Sequence, residues 1–204
     1  MSTTTATRTE PVMIYRPDGP LGRPSITLSP SPPSLTGLRI AVLDNGKPNA
    51  MLVLTRLAET LSSRAGTTVS LVTKKGPQGM SANAAIPCDP DIFDRVVAEA
   101  DLVITGMADC GSCTAYSVHD TIEFEKVGRP AVVVTTTRFE PIADTLASDF
   151  GLPGIRRLVL PHPVGGTDPD TLHQWADAAV DRLITLYKAS ADRSSADHPS
   201  RVSG

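Results

Sequence analysis

The sequence predicts a doubly wound α/β domain, one sheet of five parallel strands with helices on both faces, packed as a three-layer sandwich. Three observations predict it. Short, nearly continuous apolar runs recur at 38–44, 68–74, 101–105, 130–136 and 156–161, as in strands covered on both faces. Helical patterns fill the intervals between them. The alternation of strand and helix is regular, which calls for crossover connections and hence a parallel sheet.

Each element has its own signal. LRIAVLD (38–44) is the first strand. The helix NAMLVLTRLAETLSSRAG sets Leu54, Leu57, Ala58 and Leu61 on one face and stops at Gly66. TVSLVTK (68–74) is the second strand, and DPDIFDRVVAEA (89–100) is a short amphipathic helix with Asp89 as its cap. DLVIT (101–105) is the third strand; the helix after it starts near Gly111 or Ser112 and closes at Gly128. PAVVVTT (130–136) is the fourth, EPIADTLASDFG (140–151) is helical, and RRLVLP (156–161) is the fifth. The last helix, 168–188, carries Trp175, Ala179, Leu183 and Leu186 on a core-facing side. The flavodoxin-like strand order 2-1-3-4-5 is the expected one.

Around this domain, taken as 37–189, lie a Pro/Ser/Thr-rich arm (1–36) and a polar tail (190–204) expected to be disordered. In the arm only VMIY (12–15) is apolar enough to pair as an edge strand or clasp a partner. A net charge of −3 without a basic stripe speaks against nucleic acid. No apolar run approaches the roughly 20 residues that span a bilayer, and the first residues lack a secretory signal. A cytoplasmic protein is expected, with a homodimer as its assembly.

Ligands bind such sheets outside the carboxyl ends of the strands, where strand order reverses. Four loops meet on that edge: DNGKPN (44–49), GMADCGSC (106–113), TTTRF (135–139) and PHPVGG (161–166). They bring Asp44, Asn45, Lys47, Asn49, Asp109, Cys110, Ser112, Cys113, Thr136, Arg138 and His162 to one rim, while the other edge receives plain turns such as RAGT and VGR. Cys110 and Cys113 are two of only three cysteines. A sulfur at a helix start meets unpaired N–H groups and the positive helix end, which favour thiolate. The CxxC spacing also lets one sulfur attack and the other resolve the adduct as a disulfide. Zinc would need two further ligands, and no second CxxC or HxxxH exists, so no metal is expected; a structural role for both cysteines stays open. Cys88 is expected to have no role.

His119, six residues past Cys113, sits about 600° further round the helix; a partner on its own helix, such as Glu123, is the expected reading. Asp120 faces the side of Cys113, either to orient groups there or to be solvated. Glu123, Glu125 and Lys126 read as a solvated face. His162, held between two prolines after the fifth strand, is a better acid or base than His119, with a structural turn histidine as the other reading. Lys47 and Arg138 offer positive charge for a substrate carboxylate. GxGxxG is absent, so a nucleotide cofactor is not indicated.

Taken together, DCGSCTAYSVHD, DNGKPN, EKVGRPAVVV and LPHPVG resemble the UGSC family over about residues 36–180. That family is named for a motif in which some members carry selenocysteine where Cys110 stands. More distantly the Cys-containing turn and the PHP segment are similar to the selenoprotein B component of glycine, sarcosine and betaine reductases, in which a selenol takes part in reductive cleavage of a carbon–nitrogen bond together with other protein components. The resemblance implies that Cys110 is the reactive position and Cys113 its motif partner. The expectation is a thiol-dependent enzyme acting on a small carboxylated substrate by reductive or substitutive cleavage of a carbon–heteroatom bond. Cys110, Cys113, His162 and Asp109 are its catalytic candidates. It would need no resident cofactor, though an external dithiol or partner protein would serve as reductant. Two alternatives stand beside it: a cofactor-independent two-cysteine racemase or isomerase, and a non-catalytic redox or partner subunit of a reductase-like complex.

Overall fold

The computed structural model describes residues 25–74 and 84–188; the VMIY segment and the polar tail lie outside them. The elements follow in strict alternation: β1 (Arg39–Asp44), α1 (Ala50–Ala65), β2 (Thr68–Thr73), α2 (Pro90–Glu99), β3 (Leu102–Ala108), α3 (Gly111–Lys126), β4 (Ala131–Thr136), α4 (Glu140–Asp149), β5 (Arg157–Leu160) and α5 (Pro169–Lys188). The sheet order is β2-β1-β3-β4-β5, and each neighbouring pair is parallel. The expected class and strand order are both found. Order reverses between β1 and β3, so the switch-point crevice opens beyond Asp44 and Ala108.

Burial explains the arrangement. The three central strands are buried almost throughout. One face of the sheet packs on α1 and α5, with Leu54, Leu57, Val180 and Leu183 against Ile40, Ile104 and Val134. The other packs on α2, α3 and α4 through Val96, Phe124, Val118 and Ala147. TVSLVTK differs from its companions: β2 is an edge strand whose only buried residue is Val72, and Leu71 is half exposed. On α5 the core face runs Leu172, Ala176, Val180, Leu183 and Tyr187, while Trp175 and Ala179 are only partly buried beside it. Asp89 does stand at the N-cap of α2, but its side chain makes no capping bond.

Two acidic residues of α3 are buried: Glu125, whose spacing suggests a solvated face, and Asp120, for which the sequence leaves orienting groups near Cys113 and solvation both open. Glu125 is buried: Oε2 accepts from the Ser29 backbone N–H at 2.6 Å, Oε1 accepts from Ala131 N–H at 2.8 Å, and Arg156 pairs with it through Nη1. Arg156 Nη2 donates to Ser29 O at 2.7 Å and Nε to Leu186 O at 3.2 Å. This junction fastens residues 25–31 to α3, β4, β5 and α5. Leu35 is also buried, so part of the composition-defined arm is built into the fold. Asp120, likewise, is buried rather than solvated: Oδ2 holds Lys74 Nζ at 2.9 Å and Oδ1 accepts Cys88 N–H at 2.9 Å. With Asp89 N–H on Lys74 O, this pins both ends of the connection leaving β2. Lys126 and Glu123 do form an exposed pair.

Candidate active site at the carboxyl ends of the strands

Asn45 organises the crevice. Its Oδ1 accepts Met107 N–H at 2.9 Å and its Nδ2 donates to Met107 O at 3.0 Å, with Ser117 Oγ 3.3 Å away. These bonds satisfy backbone where the β3–β4 register shifts between Thr105 and Ala108. Thr135 Oγ1 meets Ala108 O at 2.9 Å in the same stretch. Gly106 is needed there: a Cβ would lie 3.2 Å from Val134 O and 3.3 Å from a Leu54 methyl. The amide of Asn45 is thus engaged with the protein's own backbone. Asn49, left-handed at φ 63°, stands at the N-cap of α1 without a side-chain capping bond, and its Nδ2 donates instead to Val164 O and Thr167 O at 3.0 Å each. It ties the loop after β1 to the loop after β5.

The irregular end of β3 delivers Asp109 and Cys110 into the crevice. Cys110 is the N-cap of α3, with extended φ and ψ, and its Sγ accepts Cys113 N–H at 3.2 Å. Thr114 secures the turn with its N–H and hydroxyl both on Cys110 O, at 2.9 and 2.6 Å. Cys110 and Cys113 are joined as a disulfide with Cα atoms 5.2 Å apart. The two sulfurs differ in access: Cys113 is 3% exposed, whereas Cys110 is only partly buried and stands beside exposed Gly111 and Ser112. Ser112 Oγ lies 3.9 Å from Cys110 Sγ.

Asp109 is drawn in with them. Its side chain is 6% exposed, Lys47 Nζ stands 3.7 Å from its Oδ1, and that oxygen has no hydrogen bond among the described residues. One of its carboxylate oxygens and the two sulfurs all lie within 4.8 Å of one another. Asp44, at the end of β1, is also buried with Oδ1 unpaired, and burial raises its carboxyl above the usual range despite a bond from Gly46 N–H. A raised folded-state value means that folding takes up a proton as pH falls, so the ionised form costs stability above that value. Asp44→Asn is therefore expected to gain on the parent between pH 4 and pH 7, as read from urea midpoints at both values.

His162 and Thr136 form a separate pair, Nδ1 to Oγ1 at 3.1 Å, with the Phe139 ring 5.5 Å from the imidazole. Arg138 is exposed on the loop after β4. The contacts therefore join Lys47, Asp109 and Ser112 to the cysteine turn. Asn45, Asn49, Thr136 and His162 shape its surroundings through bonds of their own. His119 meets Asp120 Oδ1 at 3.4 Å rather than Glu123, and that bond raises the imidazole above its ordinary value. Sequence reasoning missed Lys74, whose ammonium sits 5.9 Å from the centre of the Tyr116 ring. Its only signal was a charge closing an otherwise strand-like run.

A family model described as the UGSC family matches residues 14–189. The chain belongs to the UGSC family. The UGSC match spans all ten elements and the whole CGSC turn. Among curated proteins, none matches. Among solved structures, the chain is similar to an NAD(P)H:quinone oxidoreductase from Methanothermobacter marburgensis, at 16% identity and TM-score 0.41 over 72% of this chain and 100% of that one. It is also similar to a flavodoxin-like domain from Synechococcus sp., at 13% identity and TM-score 0.39 over 72% and 98%. A third likeness is an FMN-dependent NADH-azoreductase from Bacillus anthracis, at 10% identity and TM-score 0.39 over 74% and 99%. At that level these structures assign no activity to the UGSC chain.

Proposed function

We propose that this UGSC protein is a thiol-dependent enzyme in which Cys110 attacks a small, carboxylated substrate and cleaves a carbon–heteroatom bond. One observation carries the reading: at the N-cap of α3 the accessible sulfur, Cys110, accepts a helix N–H, while its partner Cys113 is buried one turn away. The helix start stabilises a thiolate at Cys110, and access makes it the attacking sulfur and Cys113 the resolving one.

In the reductive form, Cys110 thiolate displaces the heteroatom group from carbon, giving a thioether and a leaving anion that takes a proton. Cys113 thiolate then attacks Cys110 sulfur. The carbon departs with the bond's electron pair and is protonated, and the disulfide remains. An external dithiol returns the pair to thiols and leaves as its own disulfide. Asp109, close to both sulfurs, is placed to exchange protons with them, and Lys47 and Arg138 carry the charge to receive a carboxylate. A two-base isomerase calls for sulfurs on opposite sides of a substrate; two cysteines within one helical turn favour the nucleophile-and-resolver pair instead.

After dithiol reduction, iodoacetamide at pH 6 to 7 should label Cys110 about tenfold faster than Cys88, with peptide mass mapping as the readout. Equal rates for the two, both following an ordinary thiol of about 8.5, would refute the reading.

A further inference from the structure

The geometry points to a second state of the cysteine turn: once reduced, it is a binding site for one thiophilic divalent cation of the zinc class, with Cys110 Sγ, Cys113 Sγ and a carboxylate oxygen of Asp109 as ligands. The three donor atoms already lie within 4.8 Å of one another. Tetrahedral zinc with sulfur and oxygen ligands needs donors about 3.6–3.8 Å apart, a spacing that opening the disulfide and small side-chain rotations supply. Asp109 adds an independent sign. Its side chain is 6% exposed and its Oδ1 has no hydrogen bond among the described residues, with only Lys47 Nζ at 3.7 Å facing it.

Charge argues the same way. Two thiolates and one carboxylate set three negative charges against the positive charge of Lys47, which faces Asp109 among the described residues, and burial makes the imbalance costly. A disulfide removes two of those charges; a divalent cation neutralises them. The site therefore alternates between a disulfide that binds no metal and a dithiolate that does. Three protein ligands leave a fourth position for an exogenous ligand, as in zinc sites of that kind, and the neighbouring Gly111 and Ser112 are exposed. Cys88 is not in this donor group, and its Sγ lies 3.6 Å from Asp89 O. The inference needs only the dithiol state and holds whether or not Cys110 attacks a substrate.

The test uses full-length protein carrying Cys88→Ser, reduced with dithiothreitol, which donates two electrons and two protons and closes to its cyclic disulfide. After gel filtration under argon the protein is titrated with Cd²⁺ and followed by sulfur-to-cadmium charge-transfer absorption. One equivalent is expected to bind to the reduced protein and none to the disulfide form. Asp109→Asn should weaken binding about tenfold or more while the absorption persists. Lys47→Met, which removes an opposing charge and no ligand, should tighten it by roughly threefold to tenfold. Should Asp109→Asn fail to fold by circular dichroism, the Lys47→Met titration decides. Absent absorption, binding that survives Cys110→Ser, an Asp109→Asn titration equal to the parent's, or a Lys47→Met affinity no tighter than the parent's would each overturn the proposal. The alkylation result for Cys110 is separate, so either reading can fall without the other.

Discussion

Arg156→Ala is expected to lower unfolding stability by about 3–5 kcal/mol, the scale for breaking a buried ion pair from one side. The guanidinium is 2% exposed and Glu125 is fully buried, so neither charge has water to fall back on. The loss reaches beyond the pair, because Arg156 also serves Ser29 O and Leu186 O. Replacing both partners by apolar residues is not expected to restore stability here. Glu125 also accepts the N–H groups of Ser29 and Ala131, and Glu125→Leu strands both. Urea denaturation of Arg156→Ala and of Arg156→Met with Glu125→Leu checks both statements; a double variant at parental stability would contradict them.

Asp120→Ala should cost a similar amount, about 3–5 kcal/mol, by leaving the buried Lys74 ammonium without its carboxylate. Here the rescue runs the other way. Adding Lys74→Met removes the stranded charge, and the double variant should recover all but about 1 kcal/mol, the worth of the Cys88 N–H bond that is still missing. The same carboxylate raises His119, so the imidazole of Asp120→Ala should titrate lower than the parent's by NMR. Below the unfolded value, the His119 contact contributes stability that fades as pH rises through the raised folded value; in the variant that component vanishes. An unmoved imidazole would show that Asp120 does not govern it.

These junctions also mark where the sequence stops being readable. The sheet was legible because burial on both faces writes continuous apolar runs, as in LRIAVLD and PAVVVTT, and the cysteine turn was legible because it lies in the loop after one such run, DLVIT. Helix α3 was harder. It is covered on several sides, yet many of its buried positions are Thr114, Ser117, Asp120, Thr121 and Glu125. Thr121 makes this affordable by bonding Ser117 O and Thr105 Oγ1. A helix that buries such residues shows no apolar stripe, and its acids look solvated because their partners are 31 and 46 positions away. Asn45 shows another limit: an amide on the ligand-bearing edge reads as a substrate contact, and nothing local announces that its atoms also answer backbone groups beside a register shift.

Ser29 finds its partners 96 and 127 positions further along the chain. During synthesis, residues 25–31 leave the ribosome well before the side chains that hold them exist. Their seat is completed only after Arg156 has emerged and its strand has docked. A stretch made before the sheet is thus fastened only after most of the sheet has been made.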